Sequence, residues 1–346
     1  MTRVAAVETG IPGCAGSGCW QTWRAATAEA LYGPSGFFRT HVPARHFRTS
    51  VHVSSAFAAA LVRLARAAGL RTVVDVGAGR GELARTLHEL APDLTLVAVE
   101  IAEQPDDLPA EVTWTDAVPP GIDALVVANE WLDNVPLDVV EVDPDHVVRQ
   151  IEVNVETGEE RFGSPVSPAQ AGWLREWWPL AGAPPGTRAE IGAPRDSAWA
   201  DVVRRLRSGL ALAIDYGHLR ESRSAVGTLT AYRAGRMVPP VPDGSCDITA
   251  HVAVDAVAYA GEHSGGAGRG TALTSQRAAL GVLGVHGGRP PLTMAHTDPQ
   301  AYLAALSQAS EAGELVDPAG LGGFWWLLQA KGDAELPPGF VSSHPG

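Results

Sequence analysis

A chain of 346 residues with 45% hydrophobic content can bury a sizeable core, as one large domain or two of ordinary size. Its formal charge of −13 argues against non-specific nucleic-acid binding, which needs a basic surface to neutralise phosphates. Cys14, Cys19 and Cys246 offer neither a disulfide framework nor metal-ligand spacing, no run of about 18 apolar residues is present to span a membrane, and the N-terminus lacks the apolar core of a signal peptide. The expectation is a cytoplasmic protein with no nucleic-acid or membrane partner.

Residues 1–20 read as a loose tail. Gln21–Leu31 is predicted helical and stops at the turn signal Tyr32-Gly33-Pro34-Ser35-Gly36. His52–Ala68 carries Val53, Phe57, Leu61 and Leu64 at helical spacing, so 21–70 form a helical cap. Val73–Val76 then opens a parallel sheet, with Gly81–Leu90 as its crossover helix and Leu94–Val99, Val112–Trp114 and Ala124–Ala128 as further strands. All are apolar runs, as strands buried on both faces require. From Val139 to Arg161 apolar and polar residues alternate around Asp143-Pro144-Asp145, which predicts an antiparallel hairpin within an insertion over 138–195. Trp173–Leu180 and Ser197–Ser208 are predicted helical, and Gly209–Tyr216 a buried strand. Gly227–Tyr232 and the mixed stretch Asp247–Ala260 follow. Ser275–Leu283 and Pro299–Ala309 are predicted helices, and Phe324–Lys331 a last strand. Pro/Gly-rich stretches at 181–194, 235–245 and 261–270 read as long loops, with lid loops over 235–270. The fold class is therefore α/β: a Rossmann-like core over 71–137 and 196–335, an N-terminal helical region, and an inserted antiparallel and helical substrate subdomain.

Chemistry concentrates at the carboxyl ends of the strands. VVDVGAGRGEL, Val73 to Leu83, is a strand, a glycine turn and a helix start, the opening unit of a nucleotide-binding sheet. Its glycines are spaced GxGxG, with Glu82 where a dinucleotide fingerprint has its third glycine, which favours S-adenosylmethionine over NAD. Glu100 ends the second strand 19 positions after Gly81, where a carboxylate can accept hydrogen bonds from ribose hydroxyls of either ligand. Asp116 follows the third strand, where adenine is commonly met. Ala128 to Pro136, ANEWLDNVP, puts Asn129, Glu130, an indole and Asp133 at the end of the fourth. Carboxylates so placed can hold a cationic or protonated nitrogen acceptor and aim its lone pair.

In these and further blocks the chain resembles the MidA family of S-adenosylmethionine-dependent methyltransferases, relatives of the mitochondrial complex I assembly methyltransferase. YGPSGFF and HFRTSVHVSSAF resemble the family's N-terminal region, VVDVGAGRGEL its glycine loop, and VVANEWLDNVP its most specific motif. PGTRAEI, LAIDYG, GTLTAY and DITAHVAVDAV resemble four further blocks in the same order, so the likeness runs from about residue 32 to 331. It implies a class I methyltransferase fold, S-adenosylmethionine as donor, and an arginine of a protein as acceptor. Carried onto this chain, Asp75, Gly77, Ala78, Gly79 and Gly81 surround the donor, Glu100 binds its ribose, and Asp116 lies by its adenine. Thr49 and Ser50 help close the pocket, while Asn129, Glu130 and Asp133 face the acceptor. Asp215, Tyr216, Asp247, Thr249 and His251 line the substrate cleft. Asp75 and Ala78 depart from the family's Glu and Pro, and RTSVHVS lacks its Pro-Glu, which bears on the acceptor more than on the donor.

Three other functions stay open at the level of sequence: a non-catalytic assembly factor that keeps a donor pocket, a small-molecule methyltransferase, and an NAD(P)-linked oxidoreductase, against which Glu82 and NEWLDNVP speak. No HExxH, CxxC or nucleophile elbow is present, so neither a metal nor an acyl-enzyme mechanism has support. Trp173, Trp177, Trp178 and the Phe324-Trp325-Trp326 run are expected to pack in the core. A homodimer is left open.

Overall fold

The β-branched run before the glycine turn becomes an interior strand, third from one edge of a seven-stranded sheet. The computed structural model describes residues 19–40, 50–265 and 268–341. Two compact units divide the chain. One, the sheet unit, comprises 50–131, 202–216, 262–265 and 268–341 of the described residues; the second unit comprises 19–40, 132–201 and 217–261.

In the sheet unit, helix α1 (Ser55–Ala67) precedes β1 (Thr72–Val76), α2 (Glu82–Leu90), β2 (Thr95–Val99), β3 (Thr113–Thr115) and β4 (Ile122–Asn129). The chain later contributes β5 (Leu206–Asp215), β6 (Gly268–Ser275), α3 (Gln276–Val282), α4 (Pro299–Leu315) and β7 (Trp325–Lys331). The strand order is β3-β2-β1-β4-β5-β7-β6, with β1 to β5 parallel and β7 antiparallel to both its neighbours. Register places Val76 opposite Val99 on one side and Ala128 on the other. The glycine turn therefore leaves the sheet between the ends of β2 and β4, at the edge where parallel sheets bind ligands.

The amphipathic faces of α1 and α2 explain the core beneath. Phe57, Leu61 and Leu64 from α1 and Leu83 and Leu87 from α2 cluster with Val73, Leu96, Leu125, Leu212 and Leu328 of the sheet. The predicted single helix over 52–68 is interrupted at Ser54, whose extended backbone (φ −162°, ψ 144°) and hydroxyl cap Ala56 N–H and restart the helix as α1 after a short turn at Ser50–Val53. Trp326 is fully buried, meets Phe57 edge-on with centroids 6.3 Å apart, and donates its indole N–H to Gln276 Oε1 at 3.1 Å.

The second unit holds an antiparallel sheet of Trp20–Thr22, Val148–Asn154, Asp138–Val142 and Arg188–Ile191, with Glu160–Pro165 pairing onto Val148–Asn154. The expected hairpin is present and carries this extra strand. Helix Trp23–Tyr32 starts on a Thr22 cap, and Pro168–Trp177 on a Ser167–Gln170 capping box, which moves the helix expected at 173–180 towards the N-terminus. The helix expected at 197–208 spans Ala193–Arg205, because Leu206 already pairs with Ile122 in β5. The three stretches read as loops contain strands, at Arg188–Ile191, at Arg236–Val238 and from Gly268 in β6. Pairing with Asp138–Val142 and with β7 overrides local composition at the first and third, and Arg236–Val238 closes a hairpin on Thr230–Arg233. The 235–270 region also holds helix Val254–Glu262. Of the tryptophans expected in the core, Trp178 and Trp326 are buried, whereas Trp173, Trp177 and Trp325 are half-buried.

Trp326→Ala removes a fully buried indole and one hydrogen bond, so it should cost about 3–5 kcal/mol of unfolding free energy, to be read as a lowered urea midpoint at unchanged slope.

Candidate active site

At the end of β1 three glycines turn the backbone through left-handed conformations: φ is 72° at Gly77, 58° at Gly79 and 75° at Gly81. Two indoles bracket this turn. A Cβ added at Gly77 would stand 2.7 Å from Trp131 Cδ1; one added at Gly81 would meet Leu108 at 2.5 Å and Trp114 at 3.6 Å. Only glycine fits at either end. The turn thus runs from the β4 side, marked by Trp131, to the β3 side, marked by Trp114.

Glu100, one residue past β2, ties the turn to the sheet. Its Oε2 accepts Gly79 N–H at 3.0 Å, and its Oε1 accepts Ile101 N–H at 2.7 Å and Ala102 N–H at 3.2 Å. The carboxylate is fixed at the strand edge, and Oε2 has capacity left for a hydroxyl donor. Asp116 is exposed, one residue beyond β3. Ala78 is buried and gives its N–H to Val99 O at 3.2 Å.

Asp75 lies beneath the turn, and burial pushes its carboxyl up to about 7, helped by the negative charges of Glu82 and Glu100. Near neutral pH a cation brought beside this carboxyl would favour its ionised form.

At the end of β4, Glu130 adopts φ 52°, a left-handed conformation rare for a side chain with a Cβ. Its N–H bonds Ile214 O at 2.8 Å, so the sheet holds the unusual backbone in place. Its Oε1 accepts Ser50 N–H at 3.2 Å and the Asn129 amide at 3.1 Å. Asn129 Oδ1 is buried and accepts no hydrogen bond among the described residues. Ser50 itself is buried, with its hydroxyl bonded to Gln276. On the adjacent β5, Asp215 Oδ1 accepts Tyr216 N–H at 3.0 Å, and the Tyr216 ring meets Phe324 edge-on at 5.4 Å. Thr49 lies outside the described residues.

The structure therefore brings Asp75, Gly77, Ala78, Gly79, Gly81, Glu100, Ser50, Asn129, Glu130, Asp215 and Tyr216 to one edge of the sheet unit. Asp116 also belongs to the sheet unit, whereas Asp133, Asp247, Thr249 and His251 belong to the second unit and gather there. Asp133 Oδ2 accepts the Thr249 hydroxyl at 2.7 Å, and Asp247 Oδ1 accepts the Asn134 amide at 2.8 Å. Buried Arg195 donates to the carbonyls of Val135, Ala250 and His251 and thereby fixes the backbone around Asp133 and His251. Partial desolvation of the His251 imidazole, with the Arg195 charge nearby, holds it below its ordinary value against the pull of Glu190 and Asp133, although the residue as a whole stays exposed. Sequence reasoning assigned no individual role to Trp131 or Trp114; an aromatic residue just after Asn-Glu at a strand end was the available signal for the first.

A ligand with a ribose, an adenine and a cationic amino-acid tail fits this edge: Glu100 for the diol, the Trp114–Asp116 side for the base, and the Gly77 side for the tail. The family model described as "Putative S-adenosyl-L-methionine-dependent methyltransferase" matches residues 54–271. The chain belongs to this methyltransferase family. S-adenosylmethionine is accordingly its methyl donor. Two solved structures from Burkholderia thailandensis share the fold. A COG1565 superfamily member solved with S-adenosyl-homocysteine bound is 24% identical, with a TM-score of 0.74 over 94% of this chain and 90% of its own. A second COG1565 superfamily protein is 26% identical, with a TM-score of 0.72 over 94% and 89%. No curated protein matches the chain. The order β3-β2-β1-β4-β5-β7-β6 with β7 reversed is the class I arrangement that the resemblance implied.

The folded Asp75 carboxyl titrates at about 7, well above its ordinary 3.8. The stability it contributes is full below about pH 4 and is lost as pH rises through 7. In urea unfolding, Asp75→Asn should therefore gain on the wild type between pH 4 and 7. Binding of the cationic donor favours ionised Asp75, so calorimetry at pH 6 in buffers of different ionisation enthalpy should show proton release that Asp75→Asn abolishes.

Proposed function

We propose that this methyltransferase is of the MidA type and methylates a nitrogen nucleophile, the guanidinium of an arginine on a protein substrate. The observation that carries the reading is the Asn129–Glu130 pair at the end of β4, beside the glycine turn. There a carboxylate is locked in place by Ser50 N–H and the Asn129 amide, and a buried amide oxygen has no donor. A guanidinium is a planar fork of five donors, and carboxylate and amide oxygens are the acceptors it matches.

When bound, S-adenosylmethionine supplies an electrophilic methyl group carried on a cationic sulfur. The chain's own part is positioning and charge. Glu130 accepts hydrogen bonds from two guanidinium nitrogens, turns one towards the donor side of the sheet edge, and takes the proton that the guanidinium sheds. Asn129 Oδ1 accepts a further N–H and fixes the plane of the group. Tyr216 and Phe324 form an aromatic wall on the neighbouring strand ends. Asp133 spends Oδ2 on Thr249, and on this reading it positions the backbone that follows the motif.

No helix among the described residues is long and apolar enough to cross a membrane, which agrees with a substrate met in the cytoplasm. The test uses lysate from cells that lack the gene, incubated with the purified enzyme and labelled S-adenosylmethionine. Label recovered as methylarginine in protein supports the acceptor; label in small molecules alone overturns it. Glu130→Gln should keep donor affinity within about twofold while transfer falls at least tenfold, on the order expected for losing one charge-assisted contact.

A further inference from the structure

The glycine turn has no backbone donor left at its Gly77 end. Gly77 N–H and Ala78 N–H both bond Val99 O, at 3.0 and 3.2 Å, and Gly81 N–H bonds Ala78 O at 2.8 Å. Gly79 N–H goes to Glu100 and Arg80 N–H to Glu82, each at 3.0 Å. The amides at the start of α2, where Gly81 gives no side-chain cap, lie at the other end of the turn, beside Trp114.

The donor's amino-acid tail carries an ammonium, a carboxylate and the sulfonium. With ribose at Glu100 beyond β2 and the base towards β3, the sheet order sends that tail over Gly77 towards β4. Its carboxylate needs hydrogen-bond donors there. Of the two indoles that bracket the turn, Trp114 is committed, giving its N–H to Ala102 O at 3.1 Å. Trp131 is half-buried, its N–H bonds nothing among the described residues, and Cδ1, the ring atom bonded to Nε1, is the atom that lies on Gly77.

We infer that the indole N–H of Trp131 binds the amino-acid carboxylate of S-adenosylmethionine, the role that backbone amides of the turn cannot fill. The ring also stands beside Gly77, where it would flank the tail. Exposed Arg80 adds a positive charge on the same turn but no fixed geometry. The inference rests on S-adenosylmethionine being the donor.

The experiment compares wild-type protein and Trp131→Phe, a change that keeps a ring on Gly77 and removes only the donor atom. Each is titrated calorimetrically with S-adenosylhomocysteine and with its decarboxylated analogue. Wild-type protein should prefer the carboxylate form, and Trp131→Phe should lose about tenfold or more for it with affinity for the decarboxylated analogue unchanged. A second readout follows binding in the wild-type protein. In protein labelled with ¹⁵N-tryptophan, the indole resonance missing from Trp131→Phe belongs to Trp131. In the wild type it should shift downfield with S-adenosylhomocysteine and not with the decarboxylated analogue. Equal losses for both ligands, no loss, or an indole resonance that ignores the carboxylate would overturn the inference, and would point to Arg80 or to packing alone. Failure of wild-type protein to bind S-adenosylhomocysteine at all would be a different result, overturning the donor reading and this inference with it.

Discussion

The parallel register that sets Val76 between Val99 and Ala128 is the constraint on which the site of the sheet unit depends. It brings three consecutive strand ends to one level, so that the glycine turn, Glu100 and Asn129-Glu130 emerge side by side from segments far apart in sequence. A slip of one residue in either pairing would turn these side chains to the other face and bury charge in the core. Continuous apolar runs in β1, β2 and β4 fix the register because both faces of each strand are covered. The chemistry at the edge is thus held by packing that takes no part in it.

Within the second unit the polar interior follows another logic. Arg195 and Glu190 are almost wholly buried, and backbone partners satisfy most of each: Arg195 gives to the four carbonyls of Asp133, Val135, Ala250 and His251, while Glu190 accepts Thr228 N–H, Leu229 N–H and the Thr228 hydroxyl. Arg223 and Asp255 form a buried pair at 2.5 Å, beside His218, whose imidazole is pushed down to about 3 by burial and by the Arg223 charge. Asp196 is raised to about 7 by burial, although Trp173 donates to it at 2.6 Å. These groups tie turns and short strands together beside the unit's two apolar clusters. Removing one partner would leave the other buried without its hydrogen bonds.

The sheet unit was the legible part of the sequence. Val73–Val76, Leu94–Val99 and Ala124–Ala128 stand out as apolar runs, and Gly77, Gly79 and Gly81 announce the turn by composition alone. The short strands Arg188–Ile191 and Arg236–Val238 were hidden for different reasons: the first pairs with the distant Asp138–Val142, and the second closes a tight hairpin on Thr230–Arg233 within a Pro/Gly-rich stretch. The break at Ser54 was equally hidden, since the apolar spacing continues across it and only the hydroxyl marks the cap. Of the site, the acidic positions could be read and the committed amides could not. Whether an N–H is spent is a property of geometry, as the contrast between Trp114 and Trp131 shows.

Asp75, Glu82 and Glu100 crowd three acidic groups around one glycine turn, closely enough that the last two raise the first. Phosphate-bearing adenine compounds, such as ATP and the nicotinamide dinucleotides, present the same ribose and base to Glu100 and Trp114. Each would have to bring negative charge into this field, at a Coulomb cost that a cationic sulfonium reverses into a gain. In a cell where such nucleotides are abundant, the acidic turn acts as a filter against competitors that shape alone would admit.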